Sequence, residues 1–282
     1  MPEARFIYVA DVYCPWCFGF APIMQRLAAE HPEFPVRVIG GNLISRPMTL
    51  EEDIERQPGL VEFWHEVEKT TGRSLAGAIR AVEHREPMRL YSPGADELLA
   101  VLRHFAPGHD LEQLVMLEEM AYTDGRDLFT PEARQEMARR WNIPPADFER
   151  ALEQPEALAD TEKNLERAAE LMGEITSYPS VLLVRGNKVD AVSRGYVHYE
   201  TVSSRLDWAM RDLGLEPQAE SHMCSWRGGC TIGRHNRAGH REHICARAGG
   251  HTSPGFTGGP HGYRKKAQYR QKIRRLLERG HQ

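Results

Sequence analysis

The chain has 282 residues, of which 41% are hydrophobic, and a formal net charge of −4 at pH 7. That length suits one or two domains with a sizeable core, and no stretch approaches the roughly 18 consecutive apolar residues of a membrane span. Five cysteines are an odd number and imply no complete disulfide framework, and no membrane partner is expected.

Met1-Pro2-Glu3-Ala4-Arg5 runs directly into an apolar segment with no basic-then-apolar leader, so a cytoplasmic protein is expected. Arg5 to Ala10 is a short β-favouring run and predicts a buried strand. Four residues later comes Cys14-Pro15-Trp16-Cys17. A C-x-x-C places two thiols one helical turn apart, close enough to form a small disulfide ring. If the first cysteine opens a helix, it sits at the positive end of the macrodipole. That favours a thiolate over the free thiol, whose pKa is about 8.5, and a thiolate is what thiol–disulfide exchange requires.

The same motif is also half of many zinc sites, so its surroundings decide. Phe20, Ile23, Met24 and Leu27 form one helical stripe after it, and Pro15 suits a first helical turn. Pro22 lies deeper, where a kink is expected. Phe34 to Gly41 predicts a second strand. Strand, C-x-x-C, helix, strand is the order of a thioredoxin-like redox motif. A structural zinc site needs a second ligand pair, and the next cysteine is Cys224.

From about Leu50 to Gly173 the pattern is helical. Leu60 to Trp64 and Ala76 to Val82 read as short helices, Gly94 to Phe105 and Asp110 to Tyr122 as longer ones. Thr130-Pro131 is a cap followed by a first-turn proline, and Asn142-Ile143-Pro144-Pro145 breaks that helix before another begins at Ala146. A further helix spans Asp160 to Met172, with Gly173 as its stop. Ser180 to Val184, a turn at Arg185-Gly186-Asn187, and Lys188 to Val192 predict a hairpin. A last helix covers Tyr199 to Leu213. The expected fold is α/β: a thioredoxin-like mixed four-stranded sheet (4–48 and 174–216) with an inserted helical domain (49–173) and a basic irregular tail (217–282), largely disordered.

Asp11-Val12-Tyr13-Cys14-Pro15-Trp16-Cys17-Phe18-Gly19-Phe20, the helical insertion, and Tyr178-Pro179 ahead of the hairpin together resemble the DsbA family of thiol–disulfide oxidoreductases, in particular its cytoplasmic FrnE-like branch. The resemblance covers residues 4 to 216. It implies that Cys14 is the nucleophile and that Cys17 resolves the mixed disulfide. It also implies that Pro15 and Trp16 tune the potential, and that Tyr178 and a cis Pro179 hold a protein or peptide substrate beside the dithiol. Trp16 stands where the periplasmic DsbA enzymes carry histidine, which argues against a very strongly oxidising centre. Asp11 reads either as a proton relay near the thiols or as a turn residue before the helix. No cofactor beyond the Cys14–Cys17 disulfide is implied, with glutathione or a thioredoxin-type protein as recycling partner. Glutathione-dependent isomerases and transferases of the wider superfamily are the alternative within enzymes; they typically lack the paired cysteines.

The tail changes composition abruptly. Residues 219–282 hold 13 Lys+Arg against 3 Asp+Glu, and 3 of the 5 cysteines. It admits three readings: a zinc module built on Cys224, Cys230, Cys245 and one of His235, His240 or His243; a redox relay from Cys224 and Cys230 to Cys14–Cys17; or a basic extension, disordered or foreign to the natural product. The ligand types suit zinc, but the spacing is not that of the usual pairs. The zinc reading underlies a rival function, a redox-sensing metal- or nucleic-acid-binding protein. Charge alone is weak support for nucleic acid, so none is expected as a partner.

Overall fold

The first strand is apolar at nearly every position because both of its faces are covered. In β1 (Ala4–Ala10), Phe6, Tyr8 and Ala10 enter one core while Ile7 and Val9 enter another, as the two-residue alternation of a strand requires. The computed structural model describes residues 4–172 and 177–215, together with the backbone of two short paired strands, Cys224–Ser225 and Gly229–Cys230. Gly173, Cys245, His235, His240, His243 and the side chains of Cys224 and Cys230 lie outside the described residues, as does the rest of the expected tail.

The chain continues through α1 (Pro15–Glu30) and β2 (Val36–Gly40). Then come a two-residue strand β3 (Met48–Thr49), α2 (Leu50–Arg56), α3 (Leu60–Thr71), α4 (Ala76–Glu83) and a matching short strand β4 (Arg89–Leu90). Next are α5 (Ser92–Phe105), α6 (Asp110–Tyr122), α7 (Pro131–Arg140), α8 (Pro145–Leu152) and α9 (Pro155–Met172). The hairpin β5 (Ser180–Arg185) and β6 (Lys188–Arg194) precedes α10 (Tyr199–Leu213).

The main sheet has the order β2-β1-β5-β6. β1 pairs in parallel with β2 (Tyr8 opposite Val38) and antiparallel with β5 (Tyr8 opposite Val181). This is the expected mixed four-stranded sheet, with α2 to α9 inserted between β2 and β5. One face carries α1 and α10, whose Phe20, Met24, Leu27, Val202 and Leu206 join the larger core. On the other face, Leu171 of α9 covers Val9, Leu182 and Val184. Fully burying each such side chain contributes about 1.5–3 kcal/mol.

Local chemistry explains most boundaries. Thr130 caps α7 by accepting the Ala133 N–H at 3.2 Å. Thr49 and Glu52 form a reciprocal capping box at the start of α2. α1 runs through Pro22 to Glu30 as one helix. β2 starts at Val36 rather than Phe34: Pro35 has no N–H for the ladder, and Phe34 packs its ring edge-on against Phe6 at 5.5 Å. α9 begins at Pro155, five residues ahead of the expected Asp160, since proline suits the first helical position. The β3–β4 ribbon was not expected, because two-residue strands leave no periodicity to read.

Contacts with α1 help to dock the insertion onto the sheet half. α3 and α6 pack against α1. Gly19 of α1 permits the close approach of α3: a Cβ there would collide with the Thr71 methyl. Arg73, just after α3, donates to the Phe18 carbonyl at 3.2 Å, lies over the Phe18 ring at 3.8 Å and pairs with Glu119 of α6 at 3.3 Å.

Candidate active site

Cys14 is the N-cap of α1, with extended φ and ψ of −94° and 109°. Its N–H donates to the Asp11 carbonyl at 3.0 Å, and its own carbonyl accepts from Cys17 and Phe18 at 2.9 and 3.1 Å. The turn is therefore closed on both sides by backbone bonds, and Pro15 at the first helical position needs no partner for an N–H it lacks. No acidic residue stands in the first turn of α1, so nothing there offsets the positive helix end. Both cysteines are free thiols. Cys14 is 5% exposed and Cys17 fully buried one turn deeper. Burial pushes the Cys17 thiol well above its ordinary pKa, and its hydrogen bond with Cys14 and the nearby negative charges of Cys14 and Glu118 add to that.

Cys14 opens into a cavity of about 500 Å³ between the sheet half and the insertion. Trp16, Leu43, Phe63 and Trp64 line its apolar walls, and Arg56 with Gln57 supplies polar groups. Trp16 is held edge-on by Phe63 at 6.1 Å and packs on Tyr196 at 5.4 Å. Tyr178 also lines the cavity, and the Tyr178–Pro179 peptide is cis. The Tyr178 hydroxyl accepts the Asn42 N–H at 3.2 Å, and the Pro179 carbonyl accepts from Gly195 at 2.7 Å. The structure thus brings Cys14, Pro15, Trp16 and Tyr178 onto one cavity, with Cys17 behind them.

Asp11 sits beneath this turn, 1% exposed. One carboxylate oxygen accepts the Tyr13 N–H at 2.9 Å and the Ser92 hydroxyl at 3.0 Å, the other the Leu43 N–H at 2.8 Å. Burial raises its pKa, and these hydrogen bonds oppose the rise. With both oxygens engaged, the geometry favours the turn-residue reading over the relay: Asp11 ties the C-x-x-C turn to the Leu43 loop and to α5. Gly41 belongs to the same knot, since a Cβ there would meet Asp11 Oδ2 and Tyr178 Cε1 at 2.9 Å.

Sequence reading missed the buried carboxyls near the site, Asp96 and Glu118 among them. Asp96 of α5 fills the space beside Gly40, and its Oδ2 has no hydrogen-bond partner. Glu118 of α6 is 0% exposed, and neither of its oxygens has a partner. Burial drives both pKa values well up, with Asp11 adding to each. A signal for Glu118 was present. Leu111, Leu114 and Val115 before it and Ala121 and Tyr122 after it place position 118 on a buried helical stripe. Among the described residues no cluster of three or more His, Cys, Asp or Glu side chains could hold a metal ion. No described helix is long and apolar enough to cross a membrane.

Comparison with known proteins supports the fold. No protein-family model and no curated protein matches the chain, but solved structures do. A protein from Nitrosomonas europaea provisionally described as a protein disulfide isomerase superposes with a TM-score of 0.61 at 21% identity, covering 74% of this chain and 98% of that one. The cytosolic disulfide reductase DsbM from Pseudomonas aeruginosa, with GSH, superposes with a TM-score of 0.55 at 16% identity, covering 74% and 98%. A protein from Streptomyces coelicolor provisionally described as a DsbA oxidoreductase gives 0.51 at 19% identity, covering 81% and 99%. The chain has the DsbA-like thioredoxin fold, as expected. The described helices α2 to α9, inserted between β2 and β5, are what the chain adds to the four-stranded sheet with α1 and α10.

Proposed function

We propose that this protein is a thiol–disulfide oxidoreductase working through Cys14 and Cys17. The observation that carries the reading is the placement of Cys14 at the N-terminus of α1, on a cavity shared with Tyr178, with Cys17 one turn behind it. The Cys14 thiolate attacks a substrate disulfide, forming a mixed disulfide and releasing one substrate thiolate. Cys17, once deprotonated, attacks Cys14 Sγ and releases the second. The substrate disulfide is reduced by two electrons and the dithiol is oxidised to a disulfide; the reverse sequence oxidises a substrate dithiol. Pro15 and Trp16 shape the turn, and the backbone at Tyr178-Pro179 holds an extended protein or peptide segment.

The cavity beside Cys14 also has room for a tripeptide thiol, and DsbM is a neighbour solved with GSH. Glutathione is therefore the favoured recycling thiol. The absence of a required metal or organic cofactor, a cytoplasmic setting and the FrnE-like branch belong to the same proposal. Insulin reduction tests it: Cys14→Ser must abolish turnover, and unchanged activity in that variant sinks the reading. Activity that survives loss of both thiols but requires glutathione would instead favour an isomerase or transferase.

A further inference from the structure

Resolution of the mixed disulfide poses a problem that the two cysteines do not solve alone. Cys17 is fully buried, and its surroundings hold it as a thiol. It must lose a proton before it can attack Cys14, in a place that bulk water does not reach.

Asp11 is poorly suited to take that proton, since both of its oxygens are occupied by donors. Tyr8 approaches from β1, its hydroxyl donating to the Cys17 carbonyl at 3.5 Å, but a buried phenol is a poor acceptor. Glu118 differs from both. It is a fully buried carboxyl with two oxygens that have no partner. It comes from α6, which packs against α1; one turn on, Tyr122 packs on Phe18, the neighbour of Cys17, at 5.2 Å.

The titratable and charged groups that interact electrostatically with Glu118 are Cys14 at the N-cap of α1, Cys17 on α1, Tyr8 on β1, Asp11 in the turn, Glu119 and Tyr122 on α6, and Arg73 after α3. Arg73 is the cation of the set; its charge favours the carboxylate, whereas burial and the negative groups favour the acid. An ordinary surface carboxylate is too weak a base for a thiol. A buried one, pushed upward, is better matched.

We infer that Glu118, supplied by the helical insertion, is the proton acceptor for Cys17 during resolution of the mixed disulfide. The inference rests on the oxidoreductase reading above. The proton moves from Cys17 Sγ to a Glu118 carboxylate oxygen, directly or through one water. The Cys17 thiolate then forms the S–S bond to Cys14 as the Cys14–substrate S–S bond breaks, and the substrate leaves as a thiolate. In the reverse direction Glu118 returns the proton to Cys17 as it departs from Cys14. The insertion thus completes the chemistry of the sheet half.

The test separates the two steps. The full chain, with Cys224→Ser, Cys230→Ser and Cys245→Ser so that only the Cys14–Cys17 pair reacts, is reduced and mixed with one equivalent of dithiobis-nitrobenzoate. Attack by Cys14 releases a first coloured nitrothiobenzoate, and attack by Cys17 releases a second. In Glu118→Gln, the second release slows about 100-fold near neutral pH, the scale of general-base catalysis, while the first is unchanged. Its rate then climbs in proportion to hydroxide, whereas in the parent chain it levels off once Glu118 is ionised. A second release within about two-fold of the parent at every pH overturns the inference. Should Glu118→Gln fail to fold, the parent profile decides: a rate proportional to hydroxide with no plateau also overturns it. Absence of the first release in the parent would instead overturn the oxidoreductase reading itself.

Discussion

Replacing Asp11 with alanine tests whether the carboxylate is a scaffold or a relay. The substitution removes three hydrogen bonds, to the Tyr13 N–H, the Leu43 N–H and the Ser92 hydroxyl, at 2.9, 2.8 and 3.0 Å. A buried donor left unsatisfied costs about 1–3 kcal/mol. The Tyr13 N–H bears that cost in full. Leu43 lies on a half-exposed loop, where water replaces part of the lost bond. Ser92 keeps its second role as acceptor of the Ile44 N–H at 3.0 Å. Relief from burying a carboxylate offsets some of the loss, since burial already raises the Asp11 pKa. The net expectation is a loss of about 2–4 kcal/mol, measured by urea unfolding followed through tryptophan fluorescence. Asp11→Asn, which keeps one acceptor oxygen, should lose less and leave the pH profile of nitrothiobenzoate release unchanged. Asp11→Ala unfolding within about 0.5 kcal/mol of the parent, or Asp11→Asn reshaping the pH profile, would refute the scaffold assignment.

Two further outcomes follow from the same neighbourhood. Gly41→Ala introduces a methyl 2.8–2.9 Å from Asp11 and Tyr178; it should cost about 1–3 kcal/mol as overpacking and slow insulin reduction by displacing Tyr178. Asp96 is held well above the ordinary carboxylate range by burial, then by the charge of Asp11. Because the native state keeps this proton after the unfolded chain has released it, the associated stability is present below the unfolded pKa. It is lost as pH rises through the folded value. Asp96→Asn should therefore flatten the decline of unfolding free energy with rising pH above about 4, the unfolded carboxylate value; an unchanged slope in that variant would contradict the assignment.

The C-x-x-C motif and much of the architecture were legible in the chain before folding was considered. Tyr199–Leu213 forms a helix with the bounds its periodicity predicts, ending at the left-handed Gly214. The strand–motif–helix–strand order led to a mixed sheet because each of these elements has a local signature: a two-residue or helical apolar period, a cap, a proline or a glycine. Where the local signature was absent, the reading stopped short. The β3–β4 ribbon pairs Met48 with Leu90 and Thr49 with Arg89, and Leu50 and Ser92 flank it with bonds to Met88 and Ile44, all across segments distant in sequence.

Cys14 and Cys17 announced thiol chemistry through residue type and spacing alone. What tertiary structure decided was everything that acts on those thiols across the chain. The cavity is assembled from Trp16, Leu43, Phe63 and Tyr178, and Asp11 was sorted between two roles only by its three donors. Glu118 stood on an apolar helical stripe in the sequence, but that its carboxyl is buried without a partner followed only once α6 packed against α1. Desolvation and hydrogen bonding depend on what surrounds a group in space, so linear spacing could name the candidate thiols but not their environment.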